Sequence, residues 1–128
     1  MANQHKLSTS ADALCRKTWV IIPALNEAET LPTVLQNLKN WPLAGVRVVD
    51  NGSTDDTVKL AKENGAEVIL EPTRGYGSAC ETGMQNLPEA TDWILFCDAD
   101  GCDDLHGLAP FSKPPQRVMI LSWEIVIY

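Results

Sequence analysis

The stretch Trp93-Ile94-Leu95-Phe96-Cys97-Asp98-Ala99-Asp100 is an apolar run of strand length that ends in two carboxylates. Apolar side chains gain by leaving water and bare carboxylates do not. The run therefore predicts a core strand whose carboxyl end opens into a polar crevice. Along extended backbone, residues two apart point the same way, which would set Asp98 and Asp100 on one face and Ala99 on the other. Two hard oxygen donors side by side suit Mg²⁺ or Mn²⁺, with a phosphate completing the shell. The first expectation is a metal-assisted reaction on a phosphorylated ligand. The same acids would also serve to cap the next helix or sit in a solvated turn.

Working outward, apolar runs and helical faces alternate. Trp19-Val20-Ile21-Ile22-Pro23 predicts a first strand, and Leu31, Val34, Leu35 and Leu38 fall at helical spacing, with Pro32 in the first turn and Trp41-Pro42 as the stop. Val46-Arg47-Val48-Val49 predicts a second strand closed by Asp50. Asn51-Gly52-Ser53-Thr54 then reads as a turn that caps a helix, with Asp55 and Asp56 favouring its N-terminus and Gly65 ending it. Ala66 to Leu70 is a third strand. Gly77 to Leu87 is a third helix, stopped by Pro88 and turning Ala79, Cys80, Gly83, Met84 and Leu87 inward. Asp103 and Asp104 would start a fourth helix.

Alternating strands and helices, each strand nearly all apolar, are the pattern of a parallel sheet covered on both faces. The fold class is α/β. In open sheets of this kind ligands bind outside the carboxyl ends of the strands. Those ends hold Pro23 to Glu27, Asp50 to Thr54, Glu71 to Gly77 and Asp98 to Asp100.

The 128 residues fit one domain, and 45% hydrophobic with 21% charged residues is ordinary for a soluble globular chain. Three segments are expected: a polar leader over residues 1–17, the α/β unit over 18–111 and an atypical tail over 112–128. The tail runs through Pro114-Pro115 into Val118 to Tyr128, which is either a final strand or a segment unrelated to the fold. The net charge of −7 argues against a nucleic-acid binder, which would carry basic patches. Cys15, Cys80, Cys97 and Cys102 form no CxxC pair, so free thiols in a reducing, cytoplasmic compartment are expected rather than zinc. No apolar run approaches the roughly 20 residues a membrane-spanning helix needs.

Four strand ends carry candidate chemistry. Asp50 would accept hydrogen bonds from a base N–H, or close a turn. Asn26-Glu27 would contact ribose or base, or form a plain polar loop. Arg74-Gly75-Tyr76-Gly77 opens the third helix, where glycines allow close backbone approach, a helix N-terminus favours phosphate, and Arg74 adds a planar donor fork. Asp98 and Asp100 are the metal candidates. His5 and His106 have no partners at ligand spacing. Trp19, Trp41, Trp93 and Trp123 read as packing residues.

Val20-Ile21-Ile22-Pro23-Ala24-Leu25-Asn26-Glu27, Val48-Val49-Asp50-Asn51-Gly52-Ser53-Thr54-Asp55-Asp56-Thr57, Arg74-Gly75-Tyr76-Gly77 and Asp98-Ala99-Asp100-Gly101, in this order, resemble family 2 glycosyltransferases, closest to the dolichyl-phosphate mannose or glucose synthase-like branch. The resemblance covers roughly Trp19 to Phe111. It implies the GT-A fold, a nucleotide-binding α/β sandwich with a mostly parallel sheet. It also implies a UDP- or GDP-sugar donor, Mg²⁺ or Mn²⁺, and inverting glycosyl transfer, with a polyprenyl phosphate as an acceptor. Residue by residue, Pro23, Ala24 and Glu27 would line the nucleoside pocket, Asn26 would join them in binding the donor, and Asp50 would bind the base. Arg74 and Gly75 would lie along the nucleotide. Asp98 would sit near ribose and metal, and Asp100 would hold the metal on the diphosphate. The implied location is cytoplasmic, extending to a peripheral position at the inner face of a membrane.

Nothing after Phe111 resembles the family's acceptor-binding half. The expectation is therefore a truncated, donor-binding half with reduced or no turnover, and no catalytic base is assigned. The alternative is a nucleotide-sugar-binding remnant without catalysis. A haloacid-dehalogenase-type phosphatase is disfavoured because Cys102 stands where that family has Thr. A dinucleotide-binding domain is disfavoured because no G-x-G-x-x-G follows the first strand.

Overall fold

The computed structural model describes residues 13, 15–99, 117–121 and 125–127. Asp100, Gly101 and the helix expected from Asp103 lie outside the described residues.

The apolar runs form strands β1 (Thr18–Ala24), β2 (Gly45–Asp50), β3 (Glu67–Leu70) and β4 (Trp93–Cys97). Between them lie helices α1 (Leu31–Leu38), α2 (Thr57–Glu63) and α3 (Tyr76–Gly83). Within the stretch expected as an atypical tail, β5 (Arg117–Leu121) and β6 (Ile125–Ile127) join the same sheet. Strand order is β3-β2-β1-β4-β5-β6, with β6 antiparallel and the other pairings parallel.

Both faces are covered, as continuous apolar strands require. On one face Leu31, Val34, Leu35 and Leu38 of α1 and Ala61 of α2 pack on Val20, Ile22, Val48 and Leu95. On the other, Ala79 of α3 joins Ile21, Val49, Ile94 and Phe96, with Cys80, Met84 and Leu87 packed against them. The strand alternation sorts the side chains: Val20 and Ile22 go to one face, Ile21 to the other.

The direction of winding reverses at β1. From β1 the chain proceeds outward through β2 to β3, then returns to lay β4 on β1's other side. Such a reversal leaves a crevice at the carboxyl ends of the two neighbouring strands. Pairing between β1 and β4 ends at Ile21↔Phe96, whereas β1 and β2 stay paired to Ala24↔Asp50. Pro23, which has no N–H to donate, lies beyond the last β1–β4 pair, where a central strand tolerates it.

Two details differ from the sequence expectation. α2 begins at Thr57 with Asp56 as N-cap, so the turn at Asn51–Thr54 is not the cap. The local stabilisation comes from Asp55, whose Oδ1 accepts from Thr57 N–H at 3.0 Å. α3 ends at Gly83 rather than near Leu87. There the buried Arg47 guanidinium donates from Nη1 to the carbonyls of Gly83 and Gln85 at 2.8 and 2.7 Å, and Asn86 adopts φ 57°. The helix-ending carbonyls are drawn to a side chain instead of another turn. Met84 and Leu87 still reach the core from the irregular segment that follows.

Candidate functional site

A cleft of about 270 Å³ opens at the carboxyl end of β1. β1 and the residues after it contribute Pro23, Ala24, Leu25 and Glu27. Asn51 follows β2, Arg74 and Gly75 precede α3, and Tyr76 and Ala79 come from α3 itself. Pro23, Ala24, Glu27, Arg74 and Gly75, expected from sequence to address a nucleotide, are thus brought to one place.

The first wall is held by a network between two loops distant in sequence. Glu27 N–H donates to Thr57 Oγ1 at 2.9 Å, and the Thr57 hydroxyl in turn donates to Asp55 Oδ1. Ala28 N–H donates to Asp55 Oδ2 at 3.3 Å. Asn26, at φ 53°, donates its N–H to Ser53 Oγ, and its side-chain oxygen accepts from Thr54 N–H, each at 2.8 Å. Asn26 is not among the cleft-lining residues; its side chain engages the Ser53–Thr54 turn. Asn and Asp tolerate left-handed backbone better than other non-glycine residues, which suits Asn26 to this corner.

The second wall is the loop from Glu71 to Gly75. Asn51 Nδ2 donates to the carbonyls of Glu71 and Thr73, both at 2.8 Å, and its Oδ1 accepts from Gly75 N–H at 2.9 Å. Glu71 accepts from Thr73 N–H at 2.8 Å and from the Thr82 hydroxyl. These bonds, Thr82 foremost, hold its carboxyl below the usual carboxylate range. Gly75, the N-cap of α3, has φ 130°, a conformation that glycine alone adopts without strain. Gly52 has φ 103°, and a Cβ there would lie 3.7 Å from Arg74 Nε.

Asp50 is buried, and its Oδ2 accepts from Gly52 N–H at 3.1 Å and Ser53 N–H at 3.0 Å. Its Oδ1 is buried without a hydrogen-bond partner. Asp50 lines a separate cavity of about 530 Å³ with Gly52, Ser53, Val58, Leu70 and Pro72 among its walls. The sequence points to Asp50 at this strand end, but the residue that lines the cleft is its neighbour Asn51. The legible signal was an amide side chain placed where a strand meets a glycine turn. The direction it faces once the strand has ended is not fixed by alternation.

Asp98, half-buried just past β4, bears on the same site. Partial burial, with Cys80 and the Asp98 carboxylate nearby, pushes the Tyr76 phenol well above its usual range. Burial likewise raises the Cys80 thiol, and Asp98 adds to the rise against a hydrogen bond from Tyr76. Asp98 thus lies within electrostatic reach of Tyr76, a cleft-lining side chain. A carboxylate is a hard oxygen donor of the kind a divalent cation takes. Among the described residues no cluster of three or more His, Cys, Asp or Glu side chains forms a metal site by itself, so further oxygens would have to come from elsewhere. No helix among the described residues is long and apolar enough to cross a membrane.

The family model for glycosyl transferase family 2 matches residues 19–113. An uncharacterized glycosyltransferase of Mycobacterium tuberculosis is 47% identical over 91 residues, 70% of this chain and 39% of that protein. Glycosyltransferase AglJ of Haloferax volcanii is 36% identical over 90 residues, 70% of this chain and 28% of that protein. Among solved structures, glucosyl-3-phosphoglycerate synthase from M. tuberculosis, in complex with Mn²⁺, uridine diphosphate and phosphoglyceric acid, superposes with a TM-score of 0.56 at 29% identity. It covers 70% of this chain and 35% of that one. The chain thus spans about two fifths or less of the length of these relatives.

Proposed function

The chain belongs to glycosyl transferase family 2, with a GT-A-type sheet, and on that premise we propose that it forms the donor side of a sugar-nucleotide transferase, binding a nucleoside diphosphate-sugar together with a divalent cation. The observation that carries this reading is the cleft at the β1 switch point, where Pro23, Ala24, Glu27, Arg74 and Gly75 converge.

In this reading the base lies toward Asp50, whose carboxylate is the acceptor for a base N–H. Arg74 lines the cleft and lies close to Gly52 of the Asp50 cavity, so its guanidinium is placed between base and diphosphate. Glu27 accepts from ribose hydroxyls. Asp98 and Asp100 are the residues that would hold Mg²⁺ or Mn²⁺. When bound, the cation offsets the charge that develops on the leaving nucleoside diphosphate. An acceptor oxygen attacking the anomeric carbon from the opposite side inverts it. The acceptor we propose is a phosphorylated one, a polyprenyl phosphate, whose anionic oxygen needs little help from a base. The solved relative carries uridine diphosphate, Mn²⁺ and a phosphorylated acid together, which supports a phosphorylated acceptor class.

Calorimetric titration with UDP and with GDP, each with Mn²⁺, tests the donor reading. Saturable binding of one of them is expected, and binding of neither sinks it. Incubating the chain with radiolabelled UDP- and GDP-sugars and a polyprenyl phosphate separates a transferase from a module that binds without turnover.

A further inference from the structure

The geometry points to Asn51 as a positioning residue of the donor cleft, one that sets the Glu71–Gly75 loop and thereby the placement of Arg74. This deepens the donor-site reading and rests on it. Asn51 is over nine-tenths buried, with its backbone N–H on Ala24 O at 2.9 Å, so the residue is anchored to the end of β1. Its carboxamide spans to the loop through two donated bonds, to Glu71 and Thr73, and one accepted from Gly75. A primary amide has two N–H donors and one oxygen. Both donors and the oxygen are engaged, so Asn51 lines the cleft while committing its polar atoms to the protein.

The bonding requires an amide. A carboxylate of the same shape would keep the bond from Gly75 and set an oxygen against two carbonyl oxygens. Glu71 is held independently, its N–H on Asp50 O at 2.8 Å and its carboxylate on the Thr82 hydroxyl, so the loop's start does not need Asn51, whose amide bonds the Thr73 carbonyl and the Gly75 N–H on either side of Arg74.

Arg74 provides the readout, because trypsin cleaves after arginine and the Arg74–Gly75 bond lies in the held loop. Asn51→Asp is expected to speed cleavage at Arg74 while leaving cleavage after Arg47, Lys59 and Lys62 at the wild-type rate. It should also weaken UDP binding in Mn²⁺ by about tenfold or more, the effect of leaving buried hydrogen-bonding groups unpaired. Asn51→Ala, which removes the bonds without adding charge, should do the same to a smaller degree and serves if Asn51→Asp does not fold. Unchanged cleavage at Arg74 overturns the inference, as does faster cleavage with unchanged UDP affinity. A wild-type chain that binds no nucleotide instead overturns the donor reading beneath it, whatever the cleavage pattern.

Discussion

The Thr57 hydroxyl accepts from Glu27 N–H and donates to Asp55, joining the loop after β1 to the loop after β2 through one wholly buried side chain. Thr57→Val keeps the shape and strands the Glu27 N–H, a loss of about 1–3 kcal/mol; Thr57→Ser should recover most of it. Urea denaturation of the variants checks both. The same bonds set an acid limit. Asp55 and Glu71 have carboxyl pKa values lowered in the fold from 3.8 and 4.5, chiefly by the hydroxyls of Thr57 and Thr82. A lowered folded value means the unfolded chain takes up protons first, so this stabilisation is complete at neutral pH and drains away as pH falls below those two values. The urea midpoint should therefore fall less between pH 5 and pH 3 in a Thr57→Val, Thr82→Val double variant than in the wild type; an equal fall would separate these carboxylates from the acid response. Asp55 beside Thr57 was visible in sequence as a helix-start signal. That Thr57 also holds Glu27 was not, since such a bond depends on how β1 and β2 align.

At the level of elements, strands and helices were legible because burial on two faces demands nearly unbroken apolar runs, and α1 shows its helical face openly. The C-terminal end of α3 was not legible, because what ends it is Arg47, an arginine in an apolar strand. Its guanidinium is satisfied by the carbonyls of Gly83 and Gln85, by Glu67, and by the Trp19 ring 5.5 Å away. Gly83 has a packing reason to be glycine: an added Cβ would overlap Ile21 Cγ2 and sit 3.1 Å from Val49 Cγ2. Gly83→Ala must push α3 off the sheet, at a cost of about 1–3 kcal/mol. Gly77, in the same helix, meets nothing within 4 Å, so Gly77→Ala should instead gain roughly 0.4–1 kcal/mol through reduced freedom of the unfolded chain. Thermal denaturation should move in opposite directions for the two variants, by roughly 4–8 °C per kcal/mol. Movement in the same direction would mean α3 does not sit on Ile21 as described.

Across the whole molecule, charge decides how the proposed donor can be held. Seventeen acidic residues face ten basic ones, for a net −7, and Arg74 is the one basic side chain among those lining the cleft. Glu27 lines it too, and Asp98 lies near Tyr76. A nucleoside diphosphate adds at least two negative charges to this environment, and repulsion between like charges falls only slowly inside a partly enclosed site. One guanidinium does not balance the diphosphate and the carboxylates together, so on the proposed reading the affinity is expected to depend on a divalent cation. Uridine, with the same base and ribose but no phosphate, makes no such demand. UDP binding should accordingly weaken about tenfold or more when Mn²⁺ is replaced by EDTA, a change near 1.4 kcal/mol, while uridine binding stays the same. Asp98→Asn should reduce the Mn²⁺ enhancement for UDP and leave uridine untouched. If UDP binds equally well in EDTA, the acidic strand end that decided the fold has no part in holding the diphosphate; if uridine loses affinity alongside UDP, the cation supports the nucleoside pocket rather than the phosphates.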